Sequence, residues 1–288
     1  MAHSQSSAPP LISADRLGTM LGVPGLVIVD VSWYLPDDAR DPDTEYRAAH
    51  IPGAIRIPLD DLCDRGSDLP HMLPTAEQFA AACERHGIGP RHHLVLYDGS
   101  GVNLSAARAW WTFRVFGHLT ATVLDGGFRA WASATRPIQI GVQRRPRTGY
   151  PVPGADTSLV VDRAEVERIA RGEAEGQLVD CRSAERFEGR VDEPRPGLRR
   201  GHIPGAANMP YAEFTNPDTG LMFAAPVLKE MFASRGLDLK RRLVASCGSG
   251  TSACVLALAV EAIRAAEPQA VGPPVAIYDG SWAEWGRG

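Results

Sequence analysis

The residues best placed to do chemistry in this chain of 288 form one short string, Cys247-Gly248-Ser249-Gly250-Thr251-Ser252. A cysteine followed by small residues lets the backbone curl and aim several N–H groups at the sulfur, which favours its anion. The apolar run Leu243-Val244-Ala245-Ser246 before it reads as a buried strand, and a helix expected to begin near Thr251 adds its positive end. Lowering a thiol pKa from about 8.5 by about two units takes roughly 2.7 kcal/mol of preferential thiolate stabilisation, within reach of such a loop. Cys247 is therefore expected to be an anionic nucleophile near neutral pH. The remaining cysteines, Cys63, Cys83, Cys181 and Cys254, lack such a loop and read as small buried hydrophobes.

The elements that position this loop occur twice. His50-Ile51-Pro52-Gly53-Ala54 returns as His202-Ile203-Pro204-Gly205-Ala206, about 150 residues later. The apolar run Leu26–Val31 with Asp30 is matched by Leu178–Cys181 with Asp180, and Leu94-Val95-Leu96-Tyr97-Asp98-Gly99-Ser100-Gly101 is matched by the strand and loop around Cys247. Leu124-Asp125-Gly126-Gly127 and Tyr278-Asp279-Gly280-Ser281 close the two halves, each followed by a tryptophan-bearing helix start. Apolar strands alternating with helical stretches, among them Thr75 to about His86 behind a capping box, Ala106–Phe116 and Val161–Arg171, predict an α/β fold with a parallel sheet in each half. The expected division is a first domain over 11–134, a proline-rich linker over 135–157 and a second domain over 158–288. Asp98 stands where Cys247 stands in the second half. A carboxylate lacks the nucleophilic sulfur, so the first half is expected to be catalytically inactive.

Composition excludes several function classes. With 44% hydrophobic and 22% charged residues the chain is expected to fold, and a net charge of -4 with only short, scattered arginine pairs argues against nucleic acid. Arg144-Arg145, Arg199-Arg200 and Arg241-Arg242 read as solvated surface. Residues 1–10 are polar and read as a frayed tail rather than a secretory leader or anchor, and no apolar run of about 18 residues predicts a membrane span. These features place the protein in the cytoplasm. Five widely spaced cysteines without zinc-type pairing predict neither a disulfide framework nor a metal site.

The duplicated aspartate strands, the twin His-Ile-Pro-Gly-Ala strings and the six-residue loop resemble the rhodanese superfamily over nearly the whole chain. The resemblance implies two tandem rhodanese-like domains, each a five-stranded parallel sheet flanked by helices, and transfer of sulfur through a Cys247 persulfide without a cofactor. Cys-Gly-Ser-Gly is similar to the loop of the family's members that use 3-mercaptopyruvate, although Thr251-Ser252 stand where those have Val-Thr. Gly248, Gly250, Thr251 and Ser252 would then cradle the donor. Arg186 and Arg195 resemble the pair that grips its carboxylate and ketone. Asp61 and His71 resemble the partners of the loop serine, Ser249, though Asp60 and Asp64 lie close enough to Asp61 to leave that choice open. A planar 2-oxo acid suits arginine forks on chemical grounds as well. A thiol such as reduced thioredoxin, or cyanide, would take the sulfur. The alternatives are a thiosulfate sulfurtransferase and a noncatalytic sulfur-relay or binding module. His50 and His202 recur in both halves and read as structural turn residues.

Overall fold

The computed structural model describes residues 8–35, 38–133 and 135–287. The first seven residues of the expected tail and residue 134, the expected end of the first domain, lie outside them. The chain folds as two compact units. The first holds Pro74–Ala155, Pro217–Leu221 and the described residues up to Asp64; the second holds Arg65–Leu73, Asp156–Asn216 and residues 222–287.

In the first unit the strands are β1 (Leu11–Ile12), β2 (Leu26–Asp30), β3 (Ile55–Arg56), β4 (His93–Tyr97) and β5 (Ala121–Leu124), paired in parallel in the order β1-β5-β4-β2-β3. The second unit repeats this with β6 (Val160–Val161), β7 (Gln177–Asp180), β8 (Ala207–Asn208), β9 (Leu243–Ser246) and β10 (Ala276–Tyr278), in the order β6-β10-β9-β7-β8. The central strands β4 and β9 carry the apolar runs Leu94-Val95-Leu96 and Leu243-Val244-Ala245 because helices cover both faces of a parallel sheet. The helices are α1 (Ala14–Gly18), α2 (Pro42–Ala48), α3 (Ala76–Arg85), α4 (Leu104–Val115), α5 (Gly127–Ser133), α6 (Arg163–Ala170), α7 (Ala184–Phe187), α8 (Ala225–Ser234), α9 (Ala253–Ala266) and α10 (Ser281–Trp285). The capping box predicted at Thr75 is formed, with Gln78 N–H donating to Thr75 Oγ1 and Thr75 N–H to Gln78 Oε1. No helix among the described residues is long and apolar enough to cross a membrane.

The proline-rich stretch before the second unit is tied down rather than loose. Gly141 N–H donates to Arg47 O at 2.9 Å, Gln143 N–H to Tyr46 Oη at 3.1 Å and Thr148 N–H to Glu84 O at 3.4 Å, all within the first unit. His50 and His202 keep matching turn roles. Each Nδ1 meets a backbone carbonyl at 2.8 Å, that of Tyr46 or of Phe187, and each ring stacks on the same aromatic residue.

Candidate active site

Cys247 follows the central strand β9 directly, at the carboxyl end of the sheet, where parallel α/β folds gather ligands. Two contacts fix its loop. Cys247 N–H and Gly250 N–H both donate to Ser281 Oγ at 3.1 Å, and Ser281 O–H donates to Tyr278 O at 2.7 Å. Trp282 and Ala283 N–H then donate to the carbonyls of Cys247 and Gly248 at 3.0 and 2.9 Å. Among the described residues the amides of Gly248, Ser249, Thr251 and Ser252 have no protein acceptor, and α9 begins immediately after them. These donors and the helix terminus make the loop suited to an anion. Cys247 is 1% exposed, so access to it falls to its partly exposed neighbours Gly248, Ser252, Arg186 and Arg195.

Behind the loop lies a buried ionic chain. Arg182, whose side chain is fully buried, binds both Asp180 oxygens through Nε at 3.1 and 3.0 Å and donates Nη1–H to Glu193 Oε1 at 2.7 Å. Burial alone would pull its guanidinium down, but Asp180 and Glu193 outweigh that and hold it above its ordinary value. Its planar head lies over the Trp282 ring, 4.2 Å from the centroid. The other face of Glu193 grips Arg186 with two bonds of 2.6 and 3.2 Å. Arg186 in turn lies against the loop: a Cβ on Gly248 would sit 2.9 Å from Arg186 Nη2, so a larger residue there would displace the guanidinium. Arg195 makes no hydrogen bond or ion pair among the described residues. Burial lowers its pKa, and neighbouring Arg186 lowers it further while Cys247 and Glu193 oppose the shift. The two arginines, Glu193 and Cys247 therefore share one electrostatic neighbourhood.

His71 belongs to the second unit with Ser249. Its Nδ1 is 2.9 Å from Ser249 Oγ and 3.2 Å from Thr251 Oγ1, and its backbone is left-handed with φ of 59°. Asp279 anchors the segment by accepting from Leu73 N–H at 2.7 Å. Asp61 lies in the first unit, where its carboxylate meets His86 Nε2 at 2.7 Å and Arg85 Nη2 at 3.6 Å. None of the five cysteines forms a disulfide, and burial pushes the Cys181 and Cys83 thiols up. Cys254 donates its thiol proton to Gly250 O, which turns it into the helix base.

The first unit's loop is differently filled. Asp98 is fully buried and takes Ser100 N–H at 2.9 Å, Ser100 Oγ–H at 2.6 Å, Ser105 Oγ–H at 3.2 Å and Ala106 N–H at 2.8 Å. The loop thus carries its own anion. Sequence reasoning passed over Ser281, Arg182 and Glu193. The signal for Ser281 is its alignment with Gly127, where a Cβ would meet Asp98 O at 2.3 Å; the second unit places a side chain at that position and uses it to hold the loop.

Comparison with known proteins matches this geometry. The Rhodanese-like domain family matches residues 13–134 and again 163–287. The chain is 38% identical to the 3-mercaptopyruvate sulfurtransferase of Homo sapiens over 96% of this chain and 91% of that one. It is 36% identical to thiosulfate/3-mercaptopyruvate sulfurtransferase 1, mitochondrial, of Arabidopsis thaliana, over 98% of this chain and 77% of that protein. The crystal structure of the 3-mercaptopyruvate sulfotransferase SseA from Escherichia coli superimposes with a TM-score of 0.82 at 34% identity, covering 96% and 99% of the two chains. Two parallel sheets of identical strand order, two matched domains and relatives similar along nearly the full length lead to one statement of kinship: the chain belongs to the rhodanese family, in a tandem arrangement of two rhodanese-like domains.

Proposed function

We propose that the protein is a 3-mercaptopyruvate sulfurtransferase whose sulfur carrier is Cys247. The observation that carries this reading is the loop at the end of β9, with Cys247 at its base, Ser249 bonded to His71, and Arg186 pressed against Gly248. The Cys247 thiolate attacks the sulfur of the donor's thiol, an S–S bond forms, and the C–S bond breaks with its electron pair passing to carbon as the enolate of pyruvate. The sulfhydryl proton is then passed to that carbon, leaving pyruvate and a persulfide on Cys247. Arg186 and Arg195 hold the donor's carboxylate and its carbonyl oxygen, where charge develops. Ser249 and Thr251, both within reach of His71 Nδ1, carry the proton, with Asp61 as a further acidic partner in this reading. A thiol such as reduced thioredoxin, or cyanide, accepts the sulfur; cysteines without disulfides fit a reducing compartment such as the cytoplasm.

Thiosulfate is a second donor on this reading, since the Arabidopsis thaliana relative is named for both. The loop has no lysine or arginine between Cys247 and Ser252 to attract a dianion, so mercaptopyruvate should be turned over faster. The experiment compares both donors on the wild type and on Cys247→Ser, with mass spectrometry for one added sulfur atom at Cys247. Faster turnover on mercaptopyruvate, a persulfide on the wild type and none on the variant are expected. Turnover by Cys247→Ser within a few-fold of wild type would remove Cys247 from the mechanism.

A further inference from the structure

Sequence reading leaves Arg144-Arg145 as solvated surface; Arg144 is exposed, and both residues line a cavity of the first unit with a volume of about 390 Å³. Four pieces of chain line it: α2 contributes Asp43, Tyr46 and Arg47, β3 and the turn after it contribute Ile55, Arg56 and Pro58, the end of α3 contributes Arg85 and His86, and the tied-down stretch contributes Val142, Gln143, Arg144 and Arg145. The walls are set by backbone contacts. Gly141 N–H and Gln143 N–H hold the stretch to α2, and Arg145 Nε–H donates to Gly87 O at 3.2 Å. A Cβ on Gly87 would lie 2.4 Å from Pro146 O, and its φ is +69°, so glycine permits the close approach that shapes this wall.

The charge inside is uneven. Arg47, Arg56, Arg85, Arg144 and Arg145 line the cavity with a single carboxylate, Asp43. Asp43 is already held by Arg56 Nε at 3.0 Å, and the other Arg56 donors go to the backbone oxygens of Asp30, Ser32 and Ile57. His86 is bonded to Asp61, which also stands 3.6 Å from Arg85. The side chains of Arg47 and Arg144 make no hydrogen bond or ion pair among the described residues, and that of Arg145 bonds only the Gly87 carbonyl. This concentration of cations sits in a chain whose net charge is -4. Ile55, Pro58 and Val142 add an apolar wall beside the guanidinia.

We propose that this cavity is a binding site for a small organic diphosphate of the nucleoside diphosphate class. Arginine forks match phosphate oxygens in pairs, and several uncompensated guanidinia suit a ligand of charge near -3, which a diphosphate carries and a simple carboxylate does not. The volume falls in the range of small-molecule pockets and exceeds what inorganic phosphate would fill, leaving the apolar wall for the organic part. The cavity is compact rather than a stripe, which suits a small molecule and not a nucleic acid strand.

Titration calorimetry on the full chain at low salt tests this with ADP, inorganic pyrophosphate, adenosine and citrate. ADP should bind saturably and more tightly than pyrophosphate, adenosine should not bind, and affinity should fall as salt rises. Arg47→Ala and Arg144→Ala, both at exposed positions, should each weaken ADP at least tenfold while mercaptopyruvate turnover stays at the wild-type rate. Absence of saturable binding by either phosphate, equal affinity in the variants, or citrate binding more tightly than ADP would each overturn the assignment. Turnover measured on the same samples separates that failure from a failure of the sulfur-transfer reading.

Discussion

Ser281 shows how one side chain can set a reactive loop. Its φ of 50° is a left-handed conformation that a residue with a Cβ adopts at some cost, and its hydroxyl repays the position by accepting both Cys247 N–H and Gly250 N–H. Replacing it by alanine keeps the backbone cost and leaves two buried amides unpaired, each worth roughly 1–3 kcal/mol. Ser281→Ala should therefore lower stability by at least about 2 kcal/mol and reduce turnover tenfold or more, read from denaturant unfolding and initial rates on one preparation. A variant as active and as stable as wild type would show that the loop is held by other contacts. The same logic read in reverse accounts for Asp98. Its carboxylate accepts from Ser100, Ser105 and Ala106, so in the first unit these donors are spent on a side chain of the loop itself.

At the scale of elements, the sheet end and the segment carrying Glu193 act together. Glu193 sits between a fully buried Arg182 and the partly exposed Arg186, with its side chain only 2% exposed. It fixes where Arg186 points without needing to touch the donor, which makes it a positioning residue. Glu193→Gln keeps the shape but loses one negative charge among two arginines, so Arg186 should lose its two-point grip. The expected result is a KM for mercaptopyruvate raised about tenfold, near 1.4 kcal/mol, with kcat changed much less. A fall in thermal stability with unchanged KM would assign Glu193 to folding alone. How far these elements were legible in sequence follows from their chemistry. Strands β4 and β9 announce themselves as apolar runs before glycine loops, and the capping box at Thr75 marks α3. Arg182 and Glu193 sit in polar, irregular sequence, and only tertiary pairing reveals that their side chains are buried.

Across the whole molecule, duplication is what made the architecture readable, because each repeated string calibrates the other. What repetition could not reveal is membership: residues 65–73 have no counterpart pattern that assigns them to the second unit, and the arginine-bearing stretch before that unit gives no periodic sign of its hydrogen bonds to the first. That stretch also supplies Tyr150, whose hydroxyl meets His118 Nδ1 at 3.0 Å while His118 Nε2–H donates to His92 O. Burial pulls the His118 pKa down from 6.5 to about 4. As pH falls from 6.5 to about 4 the unfolded chain takes up a proton that the folded chain refuses, so stability is lost across that window, by about 3 kcal/mol in all. His118→Gln, which keeps polar atoms but cannot titrate, should flatten the fall in denaturant midpoint between pH 6.5 and 4.5; an unchanged slope would place the acid sensitivity elsewhere.

The way the second unit recruits residues 65–73 has a bearing on how the tandem can be divided. Severing the polypeptide at its interdomain stretch would yield a carboxyl-terminal half that keeps Cys247, Ser249, Arg186 and Arg195 but leaves His71 behind on the other fragment. Two rhodanese folds that look interchangeable on paper are thus bound into one inheritance: the loop of Cys247 is completed by a histidine encoded in the other half of the chain.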